Sequence, residues 1–143
     1  MTVKSILDGK GSDVATIEPT ADLASAVKLL AAHRIGALVV VSPDQQVAGI
    51  ISERDIIRVL ADRGAAALEQ AVEQVMTRKL VTCSRAETIS NVMELMTAGK
   101  FRHLPVVEEG RLIGIVSIGD VVKHRVQAIE VESAALRDYI RSV

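Results

Sequence analysis

A block of sequence occurs twice in this chain, and that duplication restricts the fold more than any other property. Gly49-Ile50-Ile51-Ser52-Glu53-Arg54-Asp55 returns 65 residues later as Gly114-Ile115-Val116-Ser117-Ile118-Gly119-Asp120. In both, a glycine, a β-branched pair, a serine and an aspartate keep one spacing. Upstream, Ile35-Gly36-Ala37-Leu38-Val39-Val40-Val41 is matched at an offset of 66 by Phe101-Arg102-His103-Leu104-Pro105-Val106-Val107. Two copies are too few for a solenoid, which needs about three or more. They suit a pseudo-twofold pair packed face to face, with equivalent clefts between the copies.

The 143 residues suffice for one unit with a real core. That core is Val, Ile, Leu and Ala, because Phe101 and Tyr139 are the only aromatic residues. Such a composition suits buried strands covered by helices. A net charge of −1 offers no electrostatic footprint for nucleic acid, and there are no aromatic platforms to stack bases. The single cysteine, Cys83, excludes an internal disulfide framework and a multi-cysteine zinc site. The N-terminus has no apolar leader, and no stretch approaches about 18 uninterrupted apolar residues. These features are read as a soluble, cytoplasmic protein with no membrane partner.

Each copy reads as β-α-β-β-α. In the first, Val14–Ile17 is extended, and apolar residues from Leu23 to Ala31 fall at helical spacing. Leu38–Val41 is a buried strand, 42–46 a turn by composition, Val47–Ile51 the returning strand, and Ile56, Ile57 and Leu60 a second helix. In the second, Leu80–Cys83 is extended, Ile89–Ala98 helical, Leu104–Val107 and Leu112–Val116 strands around Glu108-Glu109-Gly110, and Val121 opens a helix. The stretch between copies is helix-forming over Ala65–Gln74, and the tail from Gln127 reads as a helix lying on the body or on a partner. The fold class is α/β (α+β), with a first repeat over 1–66, a second over 67–126 and a helical tail over 127–143.

Taken singly, Ser52-x-x-Asp55 and Ser117-x-x-Asp120 read as helix capping boxes before they read as ligand sites, and duplication alone does not alter that. Their position adds a second possibility. A serine and a carboxylate stand at the end of a strand where a helix begins, and there the free N–H groups and the helix dipole favour an anion. A carboxylate can also accept hydrogen bonds from two adjacent ribose hydroxyls. Backbone beside small residues such as Gly36-Ala37 can approach a flat base closely.

At these residues the chain resembles a tandem CBS-domain pair, or Bateman module. The likeness rests on the repeated Gly-h-h-Ser-x-x-Asp, on His33–Val40 and Phe101–Val107, and on the lead-in Val75-Met76-Thr77, and it covers residues 3 to 126. The lead-in to the first repeat, Leu7-Asp8-Gly9-Lys10-Gly11, departs from the Met-Thr form. The resemblance implies a regulatory adenine-nucleotide sensor and not an enzyme. Its ligands would be AMP first, or ADP, ATP, NAD(H) or S-adenosylmethionine. Carried over, Ser52 and Asp55 would hold a ribose in a cleft with Thr77, Val81, Phe101, Arg102 and His103. Ser117 and Asp120 would do so with Lys10, Ala15, Arg34, Ile35, Gly36 and Ala37. The resemblance further implies a homodimer, and a separate effector protein would read the ligand state. Because Arg54 is replaced by Gly119 in the second copy, the Asp55 cleft is expected to grip phosphate more strongly.

Other motifs carry less. None of His33, His103 and His124 has a metal-ligand partner at i+3 or i+4. Cys83 reads as a buried structural thiol. Gly9-Lys10-Gly11 lacks the rest of a dinucleotide or P-loop fingerprint. Met93 and Met96 read as core or interface filler, and Lys123-His124-Arg125 as a solvated helix face. The alternative to a nucleotide sensor is a structural or oligomerisation module whose Ser-x-x-Asp pairs are only caps. An enzyme with Asp55 or Asp120 as general base ranks third, because no nucleophile or metal cluster accompanies either residue.

Overall fold

The computed structural model describes residues 1–11 and 14–142. The element order is α1 (Val3–Lys10), β1 (Thr16–Ile17), α2 (Leu23–His33), β2 (Ala37–Val41), β3 (Val47–Ser52), α3 (Glu53–Arg63), a 3-10 turn (Gly64–Glu69), α4 (Val72–Val75), α5 (Ile89–Gly99), β4 (His103–Glu108), β5 (Arg111–Ser117) and α6 (Ile118–Ser142). In the first repeat β1 runs parallel to β2, and β2 pairs antiparallel with β3. In the second, β4 and β5 form the antiparallel hairpin, and the expected extended piece is reduced to one parallel bridge between Cys83 and Val106.

Local chemistry recurs with the repeat. Asp22 caps α2 by accepting from the Ser25 amide at 2.8 Å, and Thr88 caps α5 by accepting from the Asn91 amide at 3.1 Å. Both helices end on a left-handed residue, Arg34 at φ 53° and Lys100 at φ 57°. That turn aims the chain into β2 and β4, with the Ile35 and Phe101 amides each bonding back to the helix at 3.1 Å.

The apolar residues form two cores, and the segments preceding each repeat are exchanged between them. Ile17, Leu23, Leu38, Ile51 and Ile56 pack with Val72 and Met76, which open the second repeat. Val92, Leu104, Val106 and Val116 pack with Val3, Ile6 and Leu7 from the start of the chain. Matched backbone bonds hold the exchange: Val72 and Glu73 donate to Ala21 and Pro19, whereas Val3 and Lys4 donate to Glu87 and Arg85. Each buried Val, Leu or Ile contributes about 1.5–3 kcal/mol, so the exchange fastens the two halves together.

The repeated glycines admit these exchanged segments. A Cβ on Gly49 would lie 2.7 Å from both Met76 Sδ and the Thr77 carbonyl oxygen, and one on Gly114 would lie 2.6 Å from Leu7 Cδ2. The tail does not lie on the body. Residues 118–142 form one helix, and Ile129, Leu136 and Ile140 are exposed along it.

Candidate functional site

Both Ser-x-x-Asp pairs are capping boxes. Ser52 Oγ accepts from the Asp55 amide at 3.2 Å, while Asp55 Oδ2 accepts from the Ser52 amide at 3.0 Å and from Ser52 Oγ at 2.9 Å. In the second copy Ser117 Oγ accepts from the Asp120 amide at 3.1 Å, and Asp120 Oδ2 accepts from the Ser117 amide at 2.9 Å. Capping uses one oxygen of each carboxylate. Among the described residues, Oδ1 of either aspartate accepts no hydrogen bond.

Around Asp55 lies a cavity of about 310 Å³, the lower end of the range for small-molecule clefts. Ser52, Arg54, Asp55, Thr77, Val81, Phe101, Arg102 and His103 all line it. They come from the start of α3, the exchanged segment after α4 and the entry to β4. Gly36, which the resemblance assigned to the other cleft, lines this one too. Its carbonyl accepts from the Glu53 amide at 2.9 Å, just as the Arg102 carbonyl accepts from the Ile118 amide at 2.8 Å.

Sequence reasoning missed Ile50, Glu53, Arg58, Leu80, Gly99 and Lys100 on the cavity wall. Arg58 could have been found, since it stands one helical turn beyond Arg54 on α3. Lys100 needed the left-handed turn that ends α5. Arg54, Arg58, Lys100 and Arg102 outnumber the carboxylates Glu53 and Asp55 on the wall, so the cavity suits an anion.

The Asp120 side differs in kind. Lys10 Nζ donates to Asp120 Oδ2 at 2.7 Å and to the Ile115 carbonyl at 3.0 Å. The cause lies in the lead-ins. After α4 the chain becomes extended, and Thr77 exchanges two backbone bonds with Ile50, at 2.8 and 3.1 Å. The helix α1 instead continues to Lys10, and the lysine ammonium meets the carbonyl of Ile115, the counterpart of Ile50.

The other residues expected in the second cleft belong to the first repeat. Ala15 packs beside the first core, Ala37 is buried in β2 opposite Ser52, Arg34 is the left-handed cap of α2, and Ile35 is partly exposed. The Lys123-His124-Arg125 face is not uniform: His124 is half-buried, with a buried Nδ1 that has no hydrogen-bond partner.

Titration follows this geometry. Burial would raise the Asp120 pKa, but the Lys10 hydrogen bond and the Ser117 amide hold it below the usual carboxylate value. His103 lies between the clefts. Burial and the nearby Lys10 charge hold it below the ordinary imidazole range, against the opposing pull of Asp120 and Glu53. Burial, with Glu87 nearby, pushes the Cys83 thiol up to about 11, which makes it a poor nucleophile. Among the described residues no group of three or more His, Cys, Asp or Glu is placed to hold a metal ion, and no helix is long and apolar enough to cross a membrane.

Comparison with known proteins agrees with the duplicated fold. The family model for the CBS domain matches twice, over residues 3–62 and 72–127. The mitochondrial CBS domain-containing protein CBSX3 of Arabidopsis thaliana is 39% identical over 139 residues, covering 93% of this chain and 68% of its own. The crystal structure of the CBS-domain containing protein ATU1752 from Agrobacterium tumefaciens superposes with a TM-score of 0.84 at 50% identity, over 87% of this chain and 92% of that one. The CBS domain pair of MJ0100, in complex with 5'-methylthioadenosine and S-adenosyl-L-methionine, gives a TM-score of 0.80 at 27% identity, over 90% and 98%.

Proposed function

This chain belongs to the CBS-domain family, and we propose that it is a regulatory module that binds an adenine nucleotide in the Asp55 cleft. The observation that carries the reading is the free Asp55 Oδ1 at a cavity whose lining includes Arg54, Arg58, Lys100 and Arg102. Oδ1 accepts from the ribose hydroxyls while Oδ2 remains in the cap. Thr77, Leu80 and Val81 flank the base, and Arg102, Lys100, Arg54 and Arg58 face the phosphate. AMP is the first choice on size, with ADP, ATP, NAD(H) and S-adenosylmethionine as the other members of the class. The adenosine-type ligands on MJ0100 support the class. The Asp55 cleft is the one occupied, because in the second cleft the Lys10 ammonium already bonds Asp120 Oδ2 and the Ile115 carbonyl.

The output is regulatory. A ligand bridging α3 and the β4 entry alters how the two repeats pack, and a second copy or a separate effector reads that change. A cytoplasmic, reducing location suits the buried free thiol Cys83.

A thermal-shift panel of AMP, ADP, ATP, NAD, NADH and S-adenosylmethionine tests the reading. A ligand at 100 times its dissociation constant stabilises by about 2.7 kcal/mol, and Asp55→Ala abolishes the shift. If none of the six stabilises the chain, it is instead a structural module whose Ser-x-x-Asp pairs only cap helices.

A further inference from the structure

The two copies differ at a titratable position between the clefts. In the first repeat the residue paired with Ser52 is Ala37, and in the second the residue paired with Ser117 is His103. An imidazole therefore stands where the other copy has a methyl group. His103 is half-buried and lines the Asp55 cavity, although its strand partner belongs to the Asp120 corner. Gly36 makes room for it: a Cβ there would lie 3.9 Å from His103 Cε1 and 3.4 Å from Glu53 Oε1.

Lys10, Ser117 and Asp120 direct their hydrogen bonds to one another and to Ile115. Among the described residues neither ring nitrogen of His103 has a hydrogen-bond partner, so both are free for a ligand. Charged groups face the ring from Lys10 on α1, Asp120 on α6, Glu53 on α3 and the adjacent Arg102. Arg54, Asp55, Arg58 and Lys100 share the cavity wall with it. Burial, and then Lys10, holds the imidazole below its ordinary value of 6.5, so it is largely neutral at pH 7. A phosphate monoester brings about two negative charges at that pH. An opposite charge within about 4–6 Å favours the imidazolium.

We propose that His103 links nucleotide binding to proton uptake: as a phosphate enters the Asp55 cleft, the imidazole takes a proton from solvent and donates a charge-assisted hydrogen bond to a phosphate oxygen. The residue thereby selects phosphate-bearing adenosine ligands, and the preference over a phosphate-free one such as 5'-methylthioadenosine sharpens as pH falls. This inference rests on the nucleotide reading of that cleft. Its sign follows from linkage, because the imidazole holds its proton more tightly in the bound state. The added affinity is complete below the free-state value and is lost as pH rises through the bound-state value.

Isothermal titration of AMP into the full chain at pH 7, in two buffers of different ionisation enthalpy, counts the protons taken up. The wild type takes up roughly half a proton or more per AMP and binds roughly fivefold more tightly at pH 6.5 than at pH 8, within the limit of about tenfold per pH unit for one proton. 5'-Methylthioadenosine shows neither effect. His103→Gln abolishes the uptake. His103→Arg abolishes it too, and its affinity for AMP no longer falls between pH 6.5 and pH 8, because the guanidinium stays charged. Urea denaturation of each variant checks folding. A wild type that takes up no proton, or uptake retained in His103→Gln, overturns the inference and leaves the nucleotide reading standing. Absence of AMP binding at every one of these pH values overturns both.

Discussion

The Asp55 and Asp120 clefts begin from the same motif, the same capping box and the same strand-to-helix corner, yet one is open and the other is held by a lysine. The difference starts in the segments that precede the repeats. At Met76-Thr77 the chain leaves α4 extended, and Thr77 pairs with Ile50 through backbone alone, which leaves Asp55 unshared. At Leu7-Asp8 the helix continues to Lys10, whose ammonium bonds both Ile115 and Asp120. Arg54 faces the open cleft, and Gly119 stands in its place in the other. A duplicated unit can thus leave one carboxylate unshared and pair its twin with a lysine.

The largest expected effect is on affinity. On the proposed function, Asp55→Ala should weaken AMP binding by roughly 100-fold, since a charged hydrogen-bond partner contributes about 1.5–3 kcal/mol and this one would hold two hydroxyls. Asp120→Ala should change it by less than about threefold. Isothermal titration measures both, and equal losses would erase the distinction between the clefts. Next, Lys10→Ala frees the Asp120 carboxylate. The number of AMP molecules bound per chain should rise from one to two, and an unchanged stoichiometry would mean that the lysine is not what closes the cleft.

A third comparison concerns the glycines. An added Cβ at Gly49 meets the Thr77 backbone carbonyl, whereas at Gly114 it meets the side-chain methyls of Leu7. Gly49→Ala should cost about 2 kcal/mol in urea denaturation and Gly114→Ala about 1 or less. The reverse order would show that the exchanged segments are held differently from the contacts described.

The smallest effect is on pH dependence. His103 is held below its unfolded value of 6.5, so the unfolded chain takes up that proton first. Stability is therefore full above about 6.5 and falls as pH drops through the folded value, by at most about 1.4 kcal/mol per pH unit for one proton. Asp120, held below 3.8, adds its own loss only under strongly acid conditions. His103→Gln should flatten the urea midpoint between pH 7 and pH 5. Lys10→Ala should flatten it partly, by removing a charge that keeps the imidazole neutral. A wild-type midpoint that does not fall over this range would separate His103 from the Lys10 contact.

Much of the fold was legible because it is local. The helical spacing of α2, the β-branched runs of β2 and β3 and the Ser52–Asp55 box each depend on residues three or four apart, or on period alone. The shrinkage of the second repeat's first strand to one bridge at Cys83 was not legible, because an extended segment pairs only as far as its neighbour allows. Lys100 in the Asp55 cleft was equally hidden, since its side chain is placed by a left-handed residue that composition does not announce. The helix at the N-terminus also escaped notice, because Val3, Ile6 and Leu7 find their apolar partners in the second repeat.

The sequence by itself determined that the unit is duplicated, that each copy carries a helix, a strand hairpin and a second helix, and that a serine and an aspartate stand at each corner. The family resemblance set Thr77 with Asp55 and Lys10 with Asp120, and only the tertiary structure decided that Gly36 faces the Asp55 cleft. It alone decided that Lys10 closes on Asp120. The physical reason is distance along the chain: Lys10 and Asp120 are 110 residues apart, and nothing near either one dictates a 2.7 Å contact. That contact exists because burying Val3, Ile6 and Leu7 in the second core carries the end of α1 to the second cleft.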